Sequence, residues 1–429
     1  MLTIDRKKSP DFRTIDKINF IKAGEKKLSN GIPVYIVNTG TQDFVKIEFL
    51  FSAGIKYQDR PLVAATANNT IAEGTSKYTA SELADKIDYY GAFFETDIDS
   101  DCASVNLYTL NKHLNNTLPF IEEAIKNPVF PEEELAIYLD NKKSKFLVNS
   151  KKVNNVARKK FNELLFDEKH PYGYSLKAED YDNVQRNEVA DFYKKYYSSD
   201  NCMIIVSGKM KDNTLDLLEK YFGGNDWKKG TKAVYTAVTP VSALVKKNMV
   251  YKEEAVQSAI RIGKLLFNKT HPDYPAMQVL NTVLGGYFGS RLMNNIREDK
   301  GYTYGISSAL VPFQHSGYFY IATEVGVEVC EKAIDEIFFE IRRLQEELVD
   351  EKELHLVKNY MLGAFLRSLD GPFALATKLK SIMEYGLGYD YFDNFISTIK
   401  NISAVELRNL ANKYLQRETM YELVVGKRL

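Results

Sequence analysis

The chain has 429 residues, of which 27% are charged and 45% hydrophobic, with equal numbers of acidic and basic side chains. No basic excess argues for nucleic acid, and no acidic run suggests a solvating tail. No apolar run reaches the ~18 residues of a membrane-spanning helix, and "MLTIDRKKSPDF" lacks the apolar core of a signal peptide, so we expect a cytoplasmic protein with no membrane or nucleic-acid partner.

Such a length exceeds one ordinary core and predicts two or more domains. The three cysteines, Cys102, Cys202 and Cys330, are odd in number and far apart, which gives no disulfide framework and fits a reducing compartment.

In chain order, "GIPVYIVN" and "FVKIEFLF" read as strands; in the second, Val45, Ile47, Phe49 and Phe51 alternate with Lys46, Glu48 and Leu50. "AATANNTIAEGT", Ala64 to Thr75, opens as a helix with Leu62, Val63, Ala67 and Ile71 as an apolar stripe, but its middle holds no ionisable group. "TASELADKIDYYG" is a helix capped by Thr79 or Ser81. "ASVNLYTL" is a strand, helices follow near 112–126, 131–149, 152–166 and 187–197, and "MIIVSG" closes the half as a strand. The remainder reads as a strand at 256–266, helices at 273–285 and 289–300, strands at 303–311 and 316–324, helices to 415 and a last strand at 420–425.

Two segments nearly superpose. "KYYSSDNCMIIVSGK" begins at Lys195 and "KYLQRETMYELVVGK" begins 218 residues later at Lys413, with Lys, Tyr, Gly and Lys recurring in place. "FPEEEL" and "VDEKEL" agree at an offset of 219. A period near 218 predicts a duplicated domain. We read residues 1–222 as the first copy, 223–248 as a linker and 249–429 as the second. Strands clustered ahead of helices give an α+β class, each copy a mainly antiparallel sheet backed by helices on one face.

Chemistry is harder to find. None of the five histidines has another three or four residues away, so a helical pair of imidazoles for zinc is missing. His170 and His271 each precede a proline and read as turn residues. No phosphate loop or nucleophile elbow occurs, and "GGYFGSR" reads as a tight turn between helices. The best constellation is "SRLMNNIREDKGYTYGISSAL", Ser290 to Leu310, in which Arg297 and Tyr304 lie seven apart across a helix-to-strand turn. A guanidinium and a phenol facing one cavity suit a carbonyl oxygen or a peptide backbone. By itself the pair reads better as an exposed Arg near a helix end and a Tyr half-buried in a sheet.

Taken together, "NGIPVYIVN", "AEGTSKYTASELADKIDYYGA", "NPVFPEEEL", "HPYGYSLKAEDYDNVQRNEVADFYKKYYSSDNCMIIVSG" and "GSRLMNNIREDKGYTYGISS" resemble the pitrilysin (insulinase) zinc peptidases, in the branch of half-length chains that includes mitochondrial processing peptidase. The resemblance covers nearly the whole chain and includes the duplication. It implies two homologous domains per chain, paired with a second chain into a four-domain shell around a peptide chamber. It also implies an inverted motif, His-x-x-Glu-His, with a further Glu on a later helix as third zinc ligand. Aligned through Gly74 and Thr75, the ligand positions here hold Ala65 and Asn69, the base position Asn68, and the third-ligand region Lys145 beside Ser144. We therefore expect no zinc bound by this chain. In two-chain members one subunit brings zinc and base and the other the Arg/Tyr pair, to which Arg297 and Tyr304 correspond. The resemblance thus implies a non-catalytic, substrate-binding subunit whose zinc lies in a homologous partner, as a heterodimer acting on peptides. The alternative is a peptide-binding or scaffold homodimer with no proteolytic role.

Overall fold

The computed structural model describes residues 15, 18, 20–230 and 233–427. Two sheets organise it. The first contains β1 (Gly24–Lys27), β2 (Pro33–Asn38), β3 (Phe44–Phe51), β4 (Phe93–Ile98), β5 (Ala103–Leu110) and β6 (Cys202–Gly208), in the order β1-β2-β6-β3-β5-β4. The second contains β7 (Lys247–Tyr251), β8 (Gln257–Leu266), β9 (Ile306–Phe313), β10 (Ser316–Gly326) and β11 (Tyr421–Gly426), in the order β7-β11-β8-β10-β9. If β1 is set aside, the two orders are the same. In each sheet the closing strand pairs parallel to the opening one, β2 with β6 and β7 with β11, and the other pairs are antiparallel. The duplication read from the sequence is thus a repeated topology.

The recurring glycine of the repeat has a steric reason. Gly208 and Gly426 both have positive φ, +127° and +142°. A Cβ would lie 2.3 Å from the Phe44 carbonyl oxygen at the first and 2.8 Å from Ser258 Cα at the second. Only glycine suits both conditions.

The first half carries α1 (Val63–Asn69), α2 (Ala80–Tyr89), α3 (Leu114–Lys126), α4 (Glu132–Asn149), α5 (Val153–Phe166), α6 (Ala178–Asp182), α7 (Arg186–Tyr196) and α8 (Thr214–Phe222). The second carries α9 (Tyr274–Gly285), α10 (Cys330–Glu346), α11 (Glu351–Arg367), α12 (Pro372–Met383), α13 (Asp390–Asn401) and α14 (Ala404–Tyr414). Thr79 caps α2 through a reciprocal capping box with Glu82. Each half has its own core, one centred on Ile47, Phe49, Val105 and Ile121, the other on Ile260, Leu280, Ile321 and Ile337.

The expectation of helices on one sheet face needs correction, because each sheet's second face is covered by a helix of the opposite half. Ala157, Phe161 and Leu165 of α5 pack with Ala259, Leu423 and Val425 of the second sheet. Leu375 and Ala376 of α12 pack with Val37, Leu50 and Ile205 of the first. The exchange reflects the sequence. In β6 and β11, in the middle of their sheets, positions facing either way are mostly apolar, so neither face can be left to water. A salt bridge reinforces the second exchange: Lys380 on α12 reaches the buried Glu48 on β3 at 3.1 Å.

Candidate functional site

Helix α1 lies against the first sheet with Val63, Ala64 and Ala67 in the core. Asn68 is fully buried. Its amide donates to the Asp97 carbonyl at 2.9 Å and its oxygen accepts from the Tyr197 hydroxyl at 2.9 Å. Asn69 donates to the Tyr138 hydroxyl on α4 at 2.8 Å and accepts from Thr96 at 3.0 Å. Ala65 is half-buried beside them. Burial raises both Tyr138 and Tyr197 above the ordinary phenol range, so the network is neutral throughout. No member offers the imidazole, thiolate or carboxylate that zinc requires, and among the described residues no group of three His, Cys, Asp or Glu could hold a metal ion. The residues present do not fit the zinc that the resemblance implies.

The α4 residue brought to Asn69 is Tyr138, which sequence reasoning passed over. Lys145 lies two turns further on the same helical face and lines a cleft described below. The turn histidine His170 is buried, donates through Nε2 to the Val238 carbonyl at 3.1 Å and accepts at Nδ1 from the Tyr172 amide at 3.1 Å. Burial lowers its basicity, and it acts as a neutral clip.

On the second half, Met293–Asp299 is a π-helical stretch, a wider winding that recurs at functional sites. It carries Arg297, whose guanidinium stacks over the Phe288 ring at 4.6 Å and meets Glu298 at 3.2 Å. The expected strand from 303 begins instead at Ile306. Residues 303–305 form a loop pinned by the Thr303 hydroxyl, which contacts the Glu324 carbonyl at 2.7 Å, the Gly305 carbonyl at 3.0 Å and the Thr323 hydroxyl at 2.9 Å. Tyr302 turns inward against the core, and Tyr304 stands 92% exposed. The structure gives no direct contact between Arg297 and Tyr304. Tyr304 lines a cavity whose lining does not include Arg297.

A further group that the sequence did not signal joins the homologous hairpin turns of the two halves. Asp101, in the β4–β5 turn, accepts from Lys56 at 2.9 Å, from the Tyr172 hydroxyl at 2.7 Å and from the Gln314 backbone amide in the β9–β10 turn at 3.1 Å. Lys56 also bonds the Gln314 side chain and lies over the Tyr57 and Tyr235 rings. Tyr235, between α8 and β7, stacks on His315. Beside this junction, burial and the charge of Asp99 push the Glu384 carboxyl up to about 7.

The same fold and the same pattern occur in known proteins. Residues 183–361 match the family described as the peptidase M16 inactive domain. The chain is 24% identical over 405 residues to an uncharacterized zinc protease, YmxG, of Bacillus subtilis, covering 92% of this chain and 96% of that one.

The chain is similar to the pitrilysin-type peptidases.

It is also 19% identical over 394 residues to a non-peptidase homolog of Helicobacter pylori, covering 90% of this chain and 89% of that one. Over 208 residues it is 27% identical to mitochondrial-processing peptidase subunit alpha-1 of Dictyostelium discoideum, 47% of this chain and 31% of that one. A crystal structure of a peptidase M16 inactive domain from Pseudomonas fluorescens superposes with a TM-score of 0.87 at 21% identity, covering 95% of this chain and 99% of that one. The chain thus has the fold of the pitrilysin-type peptidases, and its relatives include proteins described as inactive or as non-peptidase homologues. No helix among the described residues is long and apolar enough to cross a membrane.

Proposed function

We propose that this chain is the substrate-binding subunit of a two-chain zinc peptidase. Its partner is a homologous subunit that supplies the zinc and the base. The observation that carries this reading is Tyr304, a phenol held almost wholly in solvent by a loop that Thr303 locks from below. An exposed aromatic on a rigid loop gains nothing for the stability of the isolated chain, and it is pre-organised for a group outside it.

In a closed chamber, the Arg297 guanidinium and the Tyr304 hydroxyl donate hydrogen bonds to the carbonyl oxygen of the bond being cleaved, or to the backbone beside it. Charge grows on that oxygen as the bond is attacked, so fixed donors there lower the barrier. The Phe288 ring beneath Arg297 holds the guanidinium plane without neutralising it. The relation between this homologue and the processing-peptidase alpha subunit supports pairing with a peptidase partner.

The test is reconstitution. Tagged chain is used to capture partners from its native lysate, and peptide cleavage is followed with and without chelator. This reading predicts no cleavage by the chain alone and chelator-sensitive cleavage with the captured homologue. A homodimer that binds peptides and cleaves none, with no homologue captured, would favour the non-proteolytic reading instead.

A further inference from the structure

Two adjoining cavities, of about 740 and 420 Å³, share Asn154 and Glu324 and form one cleft between α4, α5 and the second sheet. Six cations line it: Lys142 and Lys145 on α4, Lys152 at the start of α5, Arg158 and Lys159 on α5, and Arg261 on β8. Among the described residues none of the six has an ion-pair partner. Lys159 lies over the Phe146 ring at 3.9 Å, and Arg261 bonds Asn154 and lies 5.7 Å from the Tyr320 ring. Glu163, the acid on the same helix, is taken by Lys160 at 2.6 Å. Among the described residues that line the cleft, Glu324 is the one acid. Burial, with the neighbouring charges of Arg158, weakens the basicity of both Lys159 and Arg261.

Beyond these ring and amide contacts, the fold does not call for so many cations in one place. The chain as a whole has 57 acids and 57 bases, and the packing of α5 on its sheet is carried by Ala157, Phe161 and Leu165. Like charges so gathered oppose folding of the free chain, so the arrangement points to an anionic ligand. The nature of the anion follows from the other end of the cleft. Tyr304, Gly305 and Ser307 line it there, at the start of β9, which pairs with β10 on one side only among the described residues. A free strand edge offers N–H and C=O groups to an extended peptide, a provision that a nucleic acid does not use. We propose that the cleft binds an acidic peptide segment, with its carboxylates at Lys142, Lys145, Arg158 and Arg261 and its backbone along β9. The inference rests on the peptide-binding reading above and names its substrate class.

The experiment uses the chain alone, without its partner, and a fluorescein-labelled ten-residue peptide rich in Asp and Glu, read by anisotropy. The variant is Lys142→Glu/Lys145→Glu/Arg158→Glu. All three side chains are exposed, and circular dichroism checks its fold. Expected are saturable binding, at least tenfold weaker in the variant and at least tenfold weaker for the Asn/Gln version of the peptide, with affinity falling as salt rises. Absence of binding, or equal binding by the variant, would overturn the inference. So would tighter binding of a single-stranded oligonucleotide that the same substitutions abolish. Failure here, with partner-dependent cleavage still sensitive to Arg297, removes the acidic preference and leaves the subunit role standing. An insensitive Arg297 alongside intact acidic-peptide binding does the reverse.

Discussion

Asn69 gives its amide proton to the Tyr138 hydroxyl at 2.8 Å, closing α1 onto α4 through a neutral hydrogen bond. The resemblance to zinc peptidases implies an imidazole at the position of Asn69. Restoring the two imidazoles alone, by Ala65→His and Asn69→His, leaves Tyr138 and Lys145 on α4 with no third anionic ligand. We expect zinc well below one per chain by atomic emission after dialysis. Adding Tyr138→Glu or Lys145→Glu should raise it, and the substitution that does so identifies the third position. Stoichiometric zinc in the double variant would contradict this account.

Asn68 is a structural residue. Its replacement by Ala leaves the buried Tyr197 hydroxyl without its partner and takes a donor from the Asp97 carbonyl. Unpaired buried polar groups cost about 1–3 kcal/mol each, so chemical denaturation of Asn68→Ala should show a loss of ~2–4 kcal/mol. A loss below ~1 kcal/mol would mean that water replaces the amide.

The contact between the halves predicts a second stability effect. Burial raises the Glu48 carboxyl, but Lys380 and Lys46 outweigh that and hold it below the usual range. Removing one partner of a buried pair typically costs ~3–5 kcal/mol. Because Lys46 still reaches Glu48 at 2.9 Å, we expect Lys380→Met to cost less, ~1–3 kcal/mol. For a depressed carboxyl this stabilisation is present above the unfolded pKa and lost as pH falls through the folded one. The difference between Lys380→Met and the parent should therefore shrink below about pH 4.

Glu384 has the opposite sign. Its folded pKa, about 7, exceeds the unfolded value of 4.5, so the folded chain holds the extra proton between them and stability falls as pH rises through that window. Glu384→Gln removes the penalty. Its melting temperature should exceed the parent's at pH 8, by the equivalent of ~1–2 kcal/mol once partial exposure is allowed for, and match it near pH 4. An unchanged difference across the range would rule out titration of Glu384 as the cause.

Much of this architecture was legible from local pattern. The repeat ending in Gly208 and Gly426 foretold two sheets of one topology, and Thr79 foretold the start of α2, because caps and positive-φ glycines are local demands. The exchange of α5 and α12 was not legible. Periodicity tells which face of a helix is apolar, and it is silent on which half covers that face. Tyr302, Tyr304 and Ile306 alternate as a strand would, yet the Thr303 hydroxyl replaces the ladder with side-chain bonds to Glu324 and Gly305, and the strand starts later. β4 escaped notice because it is an edge strand in which Phe93, Glu95 and Asp97 are exposed and only alternate residues are half-buried. The Lys56–Asp101–Gln314 junction joins residues far apart in the chain, and no spacing rule reaches that distance.

The most direct test of the subunit role is kcat for peptide cleavage by the reconstituted pair, with Arg297→Ala and Tyr304→Phe compared with the parent at equal partner occupancy. Loss of one oxyanion donor costs about 10²–10³ in rate. The account predicts a fall in kcat of at least tenfold for each variant, with partner binding and melting temperature unchanged. Parent-like kcat in both would show that neither side chain serves the partner's active site.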